Sequence, residues 1–151
     1  MTSLPWTSWV DVLAQPQAVR SLFVDTSSFA GVDLFEISID RQGPVLRLRF
    51  SIPIAPSSPP KRWQKGANAT QFVLAAWHLD SVEVQGFGWE VPGELTGAWM
   101  SDSRETLALR FAGPACRIHA VCRDLRVERI ADLITAIASP NNASRMPIDA
   151  P

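Results

Sequence analysis

Tyrosine is absent from this chain, and histidine and cysteine occur only twice each. The two histidines, His78 and His119, stand far apart, so neither His-x-His nor His-Glu-x-x-His spacing offers a metal site. Cys116, His119 and Cys122 follow one another at intervals of three. In a strand, alternation sends 116 and 122 to one face and 119 to the other, which spoils the set as metal ligands. The same two cysteines on an extended strand lie about 20 Å apart, too far to bridge. Two reduced thiols and a cytoplasmic location are therefore expected. No Gly-x-Ser-x-Gly elbow is present. A Cys122–His78 dyad would have to be assembled by the fold, because nothing in the spacing announces it. Gly86-Phe87-Gly88 lacks the helix and the later glycine that a dinucleotide loop requires. Glu36 and Asp40 share the wet side of one strand, and nothing marks them as carboxylates facing each other across a cleft. These gaps exclude the common enzyme classes one by one. They point to a binding protein with no catalytic residues, no metal and no cofactor.

Other absences bound the partners. The formal charge is −1 and the pI about 6.1, so nucleic-acid binding has no global electrostatic support. No apolar run reaches the length of a membrane span. The first residues carry no early base, and Pro5, Ser8 and Asp11 interrupt any apolar stretch, so no secretory leader is expected. No internal repeat is visible.

What is present is a chain of 151 residues with 46% apolar and 19% charged residues. One domain over residues 1–139, followed by a tail at 140–151, suits that composition. The charge is unevenly placed. Between Trp77 and Glu105 six acids (Asp80, Glu83, Glu90, Glu94, Asp102, Glu105) face one base, Arg104, for a local charge of −5. Between Arg110 and Arg129 five arginines outweigh Asp124 and Glu128, for +3.

Periodicity gives the elements. Trp9, Val12 and Leu13 recur at helical spacing, and Val19, Leu22 and Phe23 repeat the pattern beyond Pro16. Thr7 to Phe23 is therefore predicted as two short helices. Phe35, Ile37 and Ile39 alternate with Glu36, Ser38 and Asp40, and Leu46, Leu48 and Phe50 alternate with Arg47 and Arg49. The turn at Asp40–Pro44 makes these a hairpin whose acids and arginines face one another across the strands. Phe72–Trp77 is apolar throughout and reads as a central strand covered on both sides. Ser81–Gln85, Thr106–Phe111, Arg117–Val121 and Leu125–Val127 are further strands. Pro92, Gly93 and Gly97 suggest a loop. Ile130, Leu133, Ile134 and Ile137 have the spacing of an amphipathic helix. The expected fold class is α+β: an antiparallel meander of about six or seven strands with helices at the N- and C-terminal ends.

The tryptophans divide by context. Trp9 and Trp77 sit in apolar runs and belong to the core. Trp63 closes the proline-rich stretch Pro53–Pro60 beside Lys61 and Arg62, either packing its ring down on the sheet edge or standing out as a loop contact. Trp89 and Trp99 lie within the acidic segment, where aromatics interleaved with charge resemble interface anchors. The candidate partner-binding set is Asp80, Glu83, Trp89, Glu90, Glu94, Trp99 and Asp102.

One ordered set of residues carries a resemblance. It consists of Leu34–Arg41, Gly43-Pro44, the strand Leu46–Phe50, Pro59-Pro60-Lys61-Arg62-Trp63, Asn68 with Gln71, and Val82–Phe87. Over residues 6–127 the chain resembles the immunity protein 50 family of bacterial polymorphic toxin systems. It departs from the pattern at Gly86-Phe87, where a Gly-Trp pair is expected and Trp89 stands two residues later. The stretch after Ile130 lies outside the resemblance. The resemblance implies that the chain binds a cognate toxin protein encoded beside it, as a monomer or weak homodimer, and blocks it in the producing cell. No toxin-contacting residue transfers with it. The competing expectation is a small-ligand or generic interaction module with a pocket near Trp63.

Overall fold

A computed structural model describes residues 5–57 and 59–133. Nine strands form one antiparallel sheet: β1 (Thr7–Ser8), β2 (Gly31–Asp40), β3 (Val45–Ile52), β4 (Ala69–Trp77), β5 (Ser81–Gln85), β6 (Pro92–Trp99), β7 (Leu107–Ala112), β8 (Arg117–Cys122) and β9 (Asp124–Leu133). The only helical pieces among the described residues are a 3-10 turn at Trp9–Val12 and one α-turn, α1 (Gln17–Arg20). The fold is therefore nearly all antiparallel β, not α+β. No helix among the described residues is long and apolar enough to cross a membrane.

Both predicted helices fail for physical reasons. At the N-terminus Val10 is buried along with Trp9, Val12 and Leu13 and Asp11 alone of the turn is exposed, so the segment lacks the broad wet face of an amphipathic helix and threads into the core. Trp9 stands edge-on to Phe50 and Phe72 with ring centroids 5.1 Å away in each case, and its Nε1 donates to the Phe29 carbonyl at 2.8 Å. Beyond Pro16 only a single helical turn forms, far below the length at which helices hold by themselves. At the other end the chain continues as β9, which pairs with β4 through Leu133. Ile130 and Leu133 face Phe72 and Ala69 of β4, on opposite sides of the ribbon. Ile134 and Ile137, and the tail at 140–151, lie outside the described residues. A register shift at Glu128 turns Val127 and Ile130, three apart, toward the same core.

The same device corrects the first hairpin. A bulge between Leu34 and Glu36 puts Val32 and Leu34 inside and then Ile37, opposite Leu48. Phe35 is left outside, 39% exposed, beneath the Arg49 guanidinium at 5.6 Å. The expected pairing of charge across this hairpin holds at Arg49–Glu36 (2.9 Å), whereas Arg47 reaches over β4 to Glu128 of β9 (2.7 Å).

Pro92–Trp99, predicted as a loop, is β6, which pairs with β1, β2 and β7. Its glycines mark close approach, not turning. A Cβ on Gly93 would stand 2.6 Å from Cζ of Phe111, and one on Gly97 would stand 2.6 Å from Cγ2 of Val12.

The strand order is β5-β8-β7-β6-β2-β3-β4-β9, with β1 beside β6. This is two three-strand meanders, β2-β3-β4 and β6-β7-β8, joined where Gly31–Asp33 pairs with Pro92–Glu94. Two continuous lines of chain then run from one meander to the other. β4 leads into β5 through His78, which takes a left-handed φ of 55°, and β8 leads into β9 through Arg123 alone. The lines pair along their length, bridged at the bend by Asp80 N–H to Val121 C=O (2.7 Å) and Arg123 N–H to Trp77 C=O (3.1 Å). The pairing thus returns on itself as a ring of six staves. Side chains on its inner surface form one core running from Phe50 and Phe72 to Leu109, Phe111 and Ile118.

Candidate functional site

The ring divides the surface into two sheet faces, and the predicted residues fall unevenly on the second. On β5-β8-β7-β6, register sets out two rows of outward side chains. One row runs Glu83, His119, Arg110, Thr96, and its neighbour runs Gln85, Arg117, Ala112, Glu94. The acidic segment and the basic segment are thus strand neighbours. Glu83 and Glu94 do not belong to an acidic patch; they flank Arg110, Arg117 and His119. A groove of about 390 Å³ lies on this face, lined by the β5, β8 and β7 members of both rows.

The remaining candidates separate toward the ends. Trp89 and Glu90 belong to the loop between β5 and β6, at the end of the sheet where Gly88 stands over the Ala115 turn. Trp89 is 87% exposed and Phe87 52%, the largest apolar surface beside the open face. Glu90 also lies close to Asp33 on β2. The Asp33 carboxyl is pushed above its ordinary range, first by burial and also by the Glu90 charge, while the Val91 N–H pulls it back. Asp80 and Asp102 sit at the opposite end, Asp80 against Val121 and Asp102 in the β6–β7 turn. The eight residues of β6 between Glu90 and Asp102 span about 26 Å. Trp99 is half-buried and packs on the core. The seven residues therefore do not form one patch. Glu83 and Glu94 share the open face, Trp89 and Glu90 border it, and Asp80, Trp99 and Asp102 lie apart.

One contributor has no signal in the sequence. Trp6 precedes β1, which crosses beside β6, and its ring lies 4.1 Å from the Arg110 guanidinium carbon. Only the β1–β6 pairing brings residues 6 and 110 together. Trp77 is also placed differently from its expectation. It is half-buried on the outside, with Arg47 over its ring at 5.3 Å. Trp63 packs down, at 9% exposure, and its loop is tied to β9 by Gln64 N–H to Asp132 Oδ2 (2.9 Å). The hollow beside it, lined by Pro59, Pro60, Lys61 and Lys65, is about 540 Å³ and opens past the rim of the ring.

The thiols are placed as strand alternation requires. Cys116 and Cys122 are buried on the inner side and unpaired, and His119 is outside. Burial pushes the Cys122 thiol up to about 12 and raises Cys116 as well. A thiol so placed is protonated at neutral pH and is a poor nucleophile. Among the described residues no group of three His, Cys, Asp or Glu side chains is arranged to hold a metal ion.

A family model described as Immunity protein 50 matches residues 15–132, a span reaching from before α1 through most of β9. Comparison with curated proteins and with solved structures returned no match.

Proposed function

The chain belongs to the immunity protein 50 family, and from that premise we propose that it binds a cognate toxin domain and neutralises it by stoichiometric contact. The observation that carries this is the extent of the match, which takes in all of the two meanders and the ribbon that closes them. The protein acts in the cytoplasm of the producing cell, without a cofactor and without chemistry of its own. The outward orientation of His119 and the buried, protonated Cys122 support that reading. The contact surface is the open face of β5-β8-β7-β6 with the adjoining loop. Glu83 and Glu94 lie within it, and Trp89 and Glu90 stand at its border. Exposed tryptophan next to charge is the composition of interface anchors.

The test is co-expression with the C-terminal domain of the polypeptide encoded beside this gene, in a host that the domain kills. Survival together with a co-purifying one-to-one complex is the expected result. Survival without a complex would show an indirect antidote, and death despite soluble protein would sink the reading.

A further inference from the structure

The two sheet faces treat their arginines differently, and the difference marks a docking surface. On β2-β3-β4-β9, three of the four outward arginines, Arg47, Arg49 and Arg126, hold a carboxylate at 2.7, 2.9 and 2.6 Å, and Arg129 holds none among the described residues. On the open face, Arg110 and Arg117 hold none among the described residues. Register puts Arg110 directly opposite His119, with Cβ atoms about 5 Å apart, and Arg117 about 7 Å further along the same strand as His119. Gathering cations on adjacent strands is unfavourable in the free protein, and an incoming anion relieves it. Arg110 is also held in place. Its guanidinium lies over Trp6 at 4.1 Å, the shortest of the three such contacts among the described residues. Stacking on an aromatic ring leaves the planar donor fork free at its edge and limits the rotamer freedom lost on binding.

We propose that this face receives a carboxylate-bearing segment of the toxin, with Arg110 and Arg117 as the residues that bind its acids and Trp6 as the residue that positions Arg110. This rests on the immunity reading and names the chemistry of the partner. Glu83 and Glu94 at the ends of the two rows decide between kinds of anion. They would repel the uniform charge of a nucleic-acid backbone but suit a protein segment whose bases flank its acids. The partner surface is thus mixed in sign, and acidic where it meets the centre of the groove. A toxin that is simply basic throughout does not fit.

The experiment measures binding of the full chain to the catalytically disabled C-terminal domain of the neighbouring polypeptide, by titration calorimetry at low and at physiological salt. Arg110→Gln with Arg117→Gln is expected to weaken binding by about thirtyfold or more, with a shallower salt dependence than wild type. Trp6→Ala alone is expected to weaken it about fivefold. Arg126→Gln, on the other face, removes one of the two charges that the double variant loses and leaves affinity within twofold. All four positions are at the surface, and a thermal melt confirms that each variant folds. Wild-type affinity in both the double variant and Trp6→Ala would overturn the assignment while leaving the immunity reading intact. A loss in Arg126→Gln at least half that of the double variant on a logarithmic scale would overturn it as well, by showing that only net charge matters. No binding by the wild-type chain would overturn both.

Discussion

The face built by β2, β3, β4 and β9 and the face built by β5, β8, β7 and β6 are made from the same materials: alternating strands, arginines, carboxylates and one or two aromatic rings. They differ in who satisfies whom. On the first, Arg47 bridges to Glu128 and lies over Trp77, and Arg49 bridges to Glu36 and lies over Phe35. One ion pair ties β2 to β3 and the other reaches from β3 across β4 to β9, so these charges are spent on the sheet itself. On the second, the charges stand in rows without closing on one another, and an exposed loop with Trp89 stands beside them. Surface ion pairs contribute little to stability. The lesson is therefore about availability: a face most of whose cations are already paired has less to offer a partner.

The comparison is sharpest where the two faces must share something, which is the core. Because the strand ring closes, both halves should unfold together. Trp9→Ala removes a fully buried ring and the donor to the Phe29 carbonyl, and is expected to cost about 3–5 kcal/mol. Urea melts monitored by far-UV circular dichroism and by tryptophan fluorescence should coincide in both proteins. Two separated transitions would show that the meanders are independent.

Next in size is an alkaline effect at the junction between the halves. Cys122 ends β8 and its thiol is raised from an ordinary value of 9.0 to about 12, chiefly by burial. Above pH 9 the unfolded chain releases this proton and the folded chain keeps it. The unfolded state then binds fewer protons, and stability falls as pH rises, by about 1.4 kcal/mol per unit from this group until pH 12. Cys122→Ala should lose less stability than wild type between pH 8 and 10. Parallel losses in denaturant melts would contradict the burial argument.

Smaller is the cost of opening the paired face. Glu128→Gln breaks the bridge from Arg47 and is expected to destabilise by about 0.2–1 kcal/mol. Toxin affinity should not change, so a weakened complex in calorimetry would move the contact to the paired face. The smallest effect concerns Asp33, at the seam where the faces meet. Its folded carboxyl is raised, so its ionised form opposes folding at neutral pH, and protonation on acidification removes that opposition. Asp33→Asn should melt slightly higher than wild type at pH 7, with the gap closing toward pH 3. A lower melting point at pH 7 would show that the bond from the Val91 N–H outweighs burial.

Much of this was legible in the residues. The hairpin of β2 and β3 is where alternation places it, Glu36 meets Arg49, the cysteines turn inward and His119 outward, and the set from Leu34 to Phe87 carried the family. What was illegible has two causes. The glycines of β6 look like turn residues because their purpose, room for Phe111 and Val12, lies in other strands. The bulges at Phe35 and Glu128 shift the alternation of a strand by one residue, so Phe35 stands outside although its spacing from Ile37 puts the two on one face. The candidate site suffered most. The acidic segment is a property of the linear chain, and folding lays it beside the basic segment.

By itself, then, the sequence determined which side of each regular strand is wet, because a period of two is a local property that burial rewards residue by residue. Only the tertiary structure decided that the ends of the sheet meet, that Trp6 lies under Arg110, and that some arginines find carboxylates while others do not. Those outcomes depend on strand order and on single-residue bulges, which are selected by the closing of one shared core between positions a hundred residues apart. No local pattern encodes that choice.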